Sequence, residues 1–156
     1  MRKIQIVPFS KSEEMRKYFY ELLYEYFDEY GRHDLQIGYF SAHKKAQRIC
    51  DEIRSKPGFC DHNGEFIISK FAVDFDCEVR DKSEVVLYEL SHEYQDDEGY
   101  DNWVIFGVFS SLDEAERVKE EMAAIAPYNK LPDGFCISDC KVDIAGWLEG
   151  FRSWEC

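Results

Sequence analysis

Four histidines, six cysteines and one dense run of acids are the side chains in this 156-residue chain whose types could do chemistry. Of His33, His43, His62 and His92, the candidates for proton transfer are His92 and His62, because imidazole is the side chain that ordinarily titrates near neutrality. His92 stands in the alternating run Leu90-Ser91-His92-Glu93-Tyr94, on one strand face with Leu90 and Tyr94. Tyr24 holds the matching position elsewhere in the chain, so a satisfied, partly buried ring is the expected role there and a general base is not. His62 lies in Asp61-His62-Asn63-Gly64, where turn formation is the expected role. Cys136 and Cys140, four apart on an expected strand, share a face, but neither a Cys-x-x-Cys pair nor a His-Glu-x-x-His run accompanies them. Asp96-Asp97-Glu98-Gly99-Tyr100-Asp101 offers the oxygen ligands calcium takes without the spacing of a calcium loop. A glycine-rich phosphate loop and a Gly-x-Ser-x-Gly elbow are both missing from the sequence. The residues therefore assign no catalytic group, no metal and no cofactor, and a non-enzymatic protein is expected.

The elements that must position these residues are written twice. Gly38-Tyr39-Phe40-Ser41 matches Gly107-Val108-Phe109-Ser110, and Phe66-Ile67-Ile68-Ser69 with Val73-Asp74 matches Phe135-Cys136-Ile137-Ser138 with Val142-Asp143, all 69 residues apart. Ala46/Ala115, Arg48/Arg117 and Glu52/Glu121 keep the same offset, and 11 of the 38 positions from Gly38 to Phe75 are identical, far above coincidence. Upstream, after a one-residue slip, Tyr20-Glu21-Leu22 matches Tyr88-Glu89-Leu90. Two copies of a unit of about 60 residues account for nearly the whole chain.

Each copy reads strand, strand, helix, strand. Val85 to Tyr94 begins with β-branched residues and alternates, a strand signature. Its sister, Lys17 to Phe27, shows a helical recurrence of Met15, Tyr18, Phe19, Leu22, Leu23, Tyr26, Phe27 and Tyr30. Because duplicated units share a fold, a strand is expected there, with an N-terminal helix as the alternative. Acidic, glycine-containing loops lead to second strands at Leu35 to Phe40 and Trp103 to Phe109. Helices are expected over 43–55 and 112–125, with Ser41 and Ser110 as N-caps. Leu112, Ala115, Val118, Met122 and Ile125 make the inward stripe of the second helix. Third strands follow at Phe66 to Val73 and Phe135 to Val142, parallel to the second and beside the first. The expectation is an α+β protein, two tandem ββαβ repeats in a pseudo-twofold body with antiparallel or mixed sheet. Residues 1–16 form an extension with a short strand at Lys3 to Phe9, residues 17–80 the first repeat and residues 81–156 the second.

Composition sets the outer limits. With 45% hydrophobic and 16% aromatic residues the chain is globular and can bury a sizeable core. Its apolar runs are too short to span a bilayer and no apolar signal region follows Met1-Arg2-Lys3, so a cytoplasmic location is expected, with Cys50, Cys60, Cys77, Cys136, Cys140 and Cys156 reduced and mostly buried. The formal net charge is −13, and it is lopsided: residues 1–80 hold 13 Lys/Arg against 14 Asp/Glu, residues 81–156 hold 6 against 18. Such a field repels phosphate backbones and anionic membranes and attracts a basic protein.

The run Ile105-Phe106-Gly107-Val108-Phe109-Ser110-Ser111, then Pro132-Asp133-Gly134-Phe135, Val142-Asp143 and Trp147-Leu148-Glu149-Gly150-Phe151, resembles a small, uncharacterised bacterial domain family whose single-copy members often end in Trp-x-Glu-Gly-Phe. The resemblance covers Val85 to Phe151; the first repeat has Asp76-Cys77-Glu78-Val79 in place of the terminal motif. It implies a fold module and a bacterial source, and no reaction. Charge and aromatic residues together point to a protein-binding module, in its sharpest form an acidic inhibitor of a basic partner, acting as an immunity protein or nucleic-acid mimic does. Asp96, Asp97, Glu98, Tyr100, Asp101, Trp103 and Trp147 are the expected contact residues. The competing expectation is a small-molecule or enzymatic domain with its pocket between the repeats.

Overall fold

A computed structural model describes residues 15–95, 99 and 101–152. The first half contains β1 (Arg16–Asp28), β2 (Gly31–Phe40), α1 (His43–Ile53) and β3 (Glu65–Asp74). The second contains β4 (Val86–Gln95), β5 (Asp101–Phe109), α2 (Leu112–Ala123) and β6 (Phe135–Lys141). The protein is α+β, with two three-stranded antiparallel sheets ordered β2-β1-β3 and β5-β4-β6. The third strand of each half lies beside the first, as the crossover argument expects. The strand expected at Lys3 to Phe9 falls outside the described residues. Among the described residues no helix is long and apolar enough to cross a membrane.

Arg16–Asp28 is a strand despite its helical recurrence, because it is the central strand of its sheet and is buried on both faces. Leu22, Tyr24 and Tyr26 share one face and pack with Ala46, Cys50 and Ile53 of α1. Phe19, Glu21 and Leu23, on the opposite face, are buried as well. Apolar residues on both faces erase the period of two and leave spacings of three and four that mimic a helix. β4 behaves alike: Leu90 joins Phe106, Phe109, Ala115 and Val118 in a core, while Leu87, Glu89 and Ser91 are buried on its other face.

Both hairpins carry a bulge at the same place. Leu22 pairs with Gly38 and Leu23 with Gln36, which leaves Ile37 as the extra residue; Leu90 pairs with Gly107 and Ser91 with Ile105, which leaves Phe106. A Cβ at Gly107 would stand 2.9 Å from the ring of Phe109, the close packing that a glycine inside a strand signals.

The helices start one residue later than their serines suggest. Ser111, not Ser110, caps α2 and accepts from the Glu114 N–H at 3.2 Å, with Asp113 and Glu114 in the first turn where the helix dipole favours them. α1 is capped at Ala42 without a side-chain bond, because Ser41 is engaged elsewhere. The inward stripe of α2 is shorter than expected. Ala115 and Val118 are buried and Met122 packs beside them, whereas Leu112 and Ile125 at the two ends are about half exposed.

The chain forms two compact units, each combining three strands and a helix from one half with the segment that follows the third strand of the other. Val73–Val79 belongs with Val86–Cys140, and the residues from Lys141 onward belong with Lys17–Ala72 and Arg80–Val85.

Candidate functional site

The β4–β5 hairpin ends in a cleft of about 380 Å³ lined by Glu93, Tyr94, Gln95, Asp101, Asp133, Gly134, Phe135 and Cys136. Strand register builds it. Gln95 faces Asp101 across the ladder and donates to its carboxylate at 2.9 Å, and Glu93 faces Trp103, which is about half exposed. Glu93, Asp101 and Asp133 are exposed carboxylates, and none of the described residues lining the cleft is Lys or Arg. Of the expected contact residues, Asp101 lines the cleft and Trp103 stands on the same hairpin. Asp96, Asp97, Glu98 and Tyr100 lie outside the described residues. Trp147 belongs to the other compact unit, where its indole N–H donates to the Gln36 carbonyl at 3.1 Å and its ring meets Phe151 edge-on.

Each histidine meets a ring, a carbonyl or a carboxylate, His43 edge-on to Tyr20 among them. His92 is more deeply placed than its sequence suggests: it is fully buried, its Nε2 lies 2.8 Å from the Leu131 carbonyl, Tyr128 and Phe135 meet it edge-on, and its Nδ1 has no partner. Because a carbonyl only accepts, Nε2 carries the proton. Tyr24 does the same work in the first half, its hydroxyl donating to Phe59 O at 3.1 Å and to His62 O at 3.3 Å. Residues 62 and 131 are 69 apart, so the same carbonyl of each half takes the tip of the matching ring. His62 stacks on Tyr26 and on Phe151, and His33 pairs with Asp28 on the exposed hairpin end.

Glycine is required where these rings meet the loop before the third strand. A Cβ at Gly134 would stand 2.3 Å from Glu93 O and 2.7 Å from the His92 ring; at Gly64 it would stand 2.3 Å from the Tyr24 ring and 2.7 Å from Glu25 O. Gly64→Ala and Gly134→Ala should each lose about 2–3 kcal/mol of unfolding free energy in urea titrations, through backbone displacement. Gly146→Ala, whose Cβ would lie 3.7 Å from Ile37 O, is the control and should stay within about 0.5 kcal/mol. Equal losses at all three positions would contradict the packing argument.

The cysteines are less buried than expected. Among the five described, all free thiols, Cys50 is buried, Cys140 partly so, and Cys60, Cys77 and Cys136 are exposed. The Cys140 thiol is pushed up to about 12 by burial and by the charges of Glu89 and Asp139, so it stays protonated and unreactive at neutral pH. Among the described residues no group of three or more His, Cys, Asp or Glu is placed to hold a metal ion.

A second feature escaped the sequence reading. The segment after β6 lies along the outer edge of β2: Asp143 N–H donates to Tyr39 O at 2.8 Å and Gly146 N–H to Ile37 O at 2.7 Å. The Asp143 carboxylate, at a backbone φ of 65°, accepts from Ser41 N–H (2.8 Å), Ser41 Oγ (2.8 Å) and Lys45 Nζ (2.6 Å). Burial works to raise the Asp143 pKa, but the bonds from Lys45 and Ser41 outweigh it and hold the carboxyl below its ordinary range. Lys82 adds a bond from its ammonium to Ser41 O at 2.7 Å. Further on, Phe151 N–H donates to Pro57 O at 3.0 Å, and its ring fills a pocket of Tyr24, Tyr26, Phe59 and His62. The sequence marked the position, through the Val73-Asp74/Val142-Asp143 identity at the end of the third strands, but not the partners.

No family model, curated protein or solved structure matches this chain.

Proposed function

We propose that the chain is a tandem duplication of a ββαβ module of the bacterial kind its motifs resemble, and that it works as a non-enzymatic protein-binding module whose acidic second half docks a basic protein. The observation that carries the reading is the cleft at the β4–β5 hairpin end, where Glu93, Asp101 and Asp133 stand exposed around Tyr94 and Phe135 with no cation in the described lining. Carboxylates around an aromatic floor suit a lysine or arginine side chain from a partner: the charge steers the approach and the ring supports the stem. Asp96, Asp97 and Glu98, which follow β4 in the sequence, add three further carboxylates to the same half. An inhibitor that covers a basic, nucleic-acid-binding face is the sharpest form of this reading.

The test is capture from a lysate of the native host at low and moderate salt, followed by association rates for the recovered partner. Neutralising the cleft and its loop (Glu93→Gln, Asp101→Asn and Asp133→Asn with Asp96→Asn, Asp97→Asn and Glu98→Gln) should slow association about tenfold or more at low salt and flatten its salt dependence, leaving the melting temperature unchanged. Asp28→Asn with Glu29→Gln, in the near-neutral half, should have a smaller effect. Equal, salt-independent rates for wild type and both variants would overturn the reading.

A further inference from the structure

We propose that the β2 edge, Ser41, Lys45 and the Phe151 pocket together form a peptide-recognition groove, and that residues 142–151 of a second copy of this chain fill it in place of its own, giving a tail-exchanged dimer. The inference does not rest on the acidic cleft. The tail is held as peptide ligands are held: main-chain bonds to a sheet edge, one charged anchor and one aromatic anchor. The main-chain bonds run to Ile37 and Tyr39, alternate residues of β2. The charged anchor is Asp143 on Ser41 and Lys45, and the aromatic anchor is Phe151 among four rings. Trp147 adds a third fixed point through its bond to Gln36 O.

The connection makes exchange inexpensive. β6 up to Cys140 belongs to one compact unit and the tail from Lys141 to the other, so the chain already crosses between units at that point. A tail from a second copy would make the same bonds that the resident one makes, including Val142 N–H to Val85 O at 3.0 Å, and the dimer would differ from two monomers at the hinge, residues 140–141. Domain exchange is a low-cost route to a dimer when the change is confined to a hinge. The resident tail wins at low concentration because it is tethered at an effective concentration of about millimolar. Weakening the resident contact without weakening the exchanged one reverses that preference.

Two full-length variants with opposite charge changes do this. In Lys45→Asp the groove repels its own Asp143, and in Asp143→Lys the groove's Lys45 repels its own tail. Mixed one to one, the Lys45→Asp groove would take the lysine-bearing tail and the Asp143→Lys groove would take an unaltered Asp143, so both ion pairs return only by exchange. Native mass spectrometry and light scattering should show a one-to-one heterodimer at micromolar concentration, at least about tenfold more abundant than either homodimer. Its melting temperature should rise about 2–8 °C above those of the separate variants. The chain carrying both changes restores the pair within itself and should stay monomeric. Monomers with unchanged melting temperatures after mixing would overturn the proposal. If either variant fails to fold alone, differently tagged copies are co-expressed: co-purification of the two from the soluble fraction supports exchange, and its failure overturns it.

Discussion

Tyr24→Ala should remove about 4–6 kcal/mol of unfolding free energy, enough to bring a domain of ordinary stability close to unfolding. The ring has no exposed surface and packs at centroid distances of 4.7 Å from Phe66, 4.9 Å from Phe59, 5.9 Å from Tyr26 and 6.1 Å from Phe151. Its removal leaves a cavity lined by four aromatic rings and strips the Phe59 and His62 carbonyls of their donor. Tyr24→Phe separates the two parts, because it keeps the volume and loses only the hydroxyl; about 1–3 kcal/mol is expected. Burial raises the Tyr24 pKa, so the donor proton is in place throughout the neutral range. Urea titration of both variants checks the expectation. A loss below about 1 kcal/mol for the alanine variant would place the ring outside the core.

Asp143→Ala should cost about 2–4 kcal/mol and Asp143→Asn roughly half of that, since asparagine keeps the shape, tolerates the positive φ and loses the charge. Lys45 is partly exposed, with 38% of its side-chain surface open, and solvent screening keeps the figure well below that of a fully buried pair. The pH dependence has a definite sign. The folded carboxyl titrates below its unfolded value, so the stabilisation is complete above the unfolded carboxylate pKa of about 4 and is lost as pH falls through the lower folded value. The gap between wild type and Asp143→Asn should therefore be widest near neutrality and close below about pH 4. Parallel stability profiles from pH 7 to pH 3 would show that Asp143 acts without its charge.

The identities between residues 69 apart pointed to two similar halves, and the structure has two three-stranded sheets with a helix in each half. The likeness of the halves identified β1 as a strand when local spacing favoured a helix, because β4 alternates more openly than its sister. It also placed the helices and third strands within two residues of where they lie. What it could not carry was the destination of each tail. Identity between Asp74 and Asp143 says that the positions match, yet their partners differ: Asp143 is clasped by Ser41 and Lys45, while Asp74 pairs with Arg16 at 2.8 Å. Residue 114, the sister of Lys45, is a glutamate and could not hold a carboxylate. The buried faces of β1 and β4 were hidden for a related reason, since burial on a second face depends on what covers a sheet and leaves no period in the sequence. Asp101 and Trp103 were singled out for charge and aromatic character alone, and the structure places both on the β4–β5 hairpin with exposed side chains.

The placement of residues 142–151 against β2 also sets an order of events during synthesis. The segment Val73–Val79 is made before the strands it joins, so the unit built on β4 to β6 has all its parts once Cys140 is available. The unit built on β1 to β3 must wait for Phe151, 79 residues beyond Ala72, a delay of about 4–16 s at translation rates of about 5–20 residues per second. The half made first is thus the half finished last, and its β2 edge and aromatic pocket stand open for that interval.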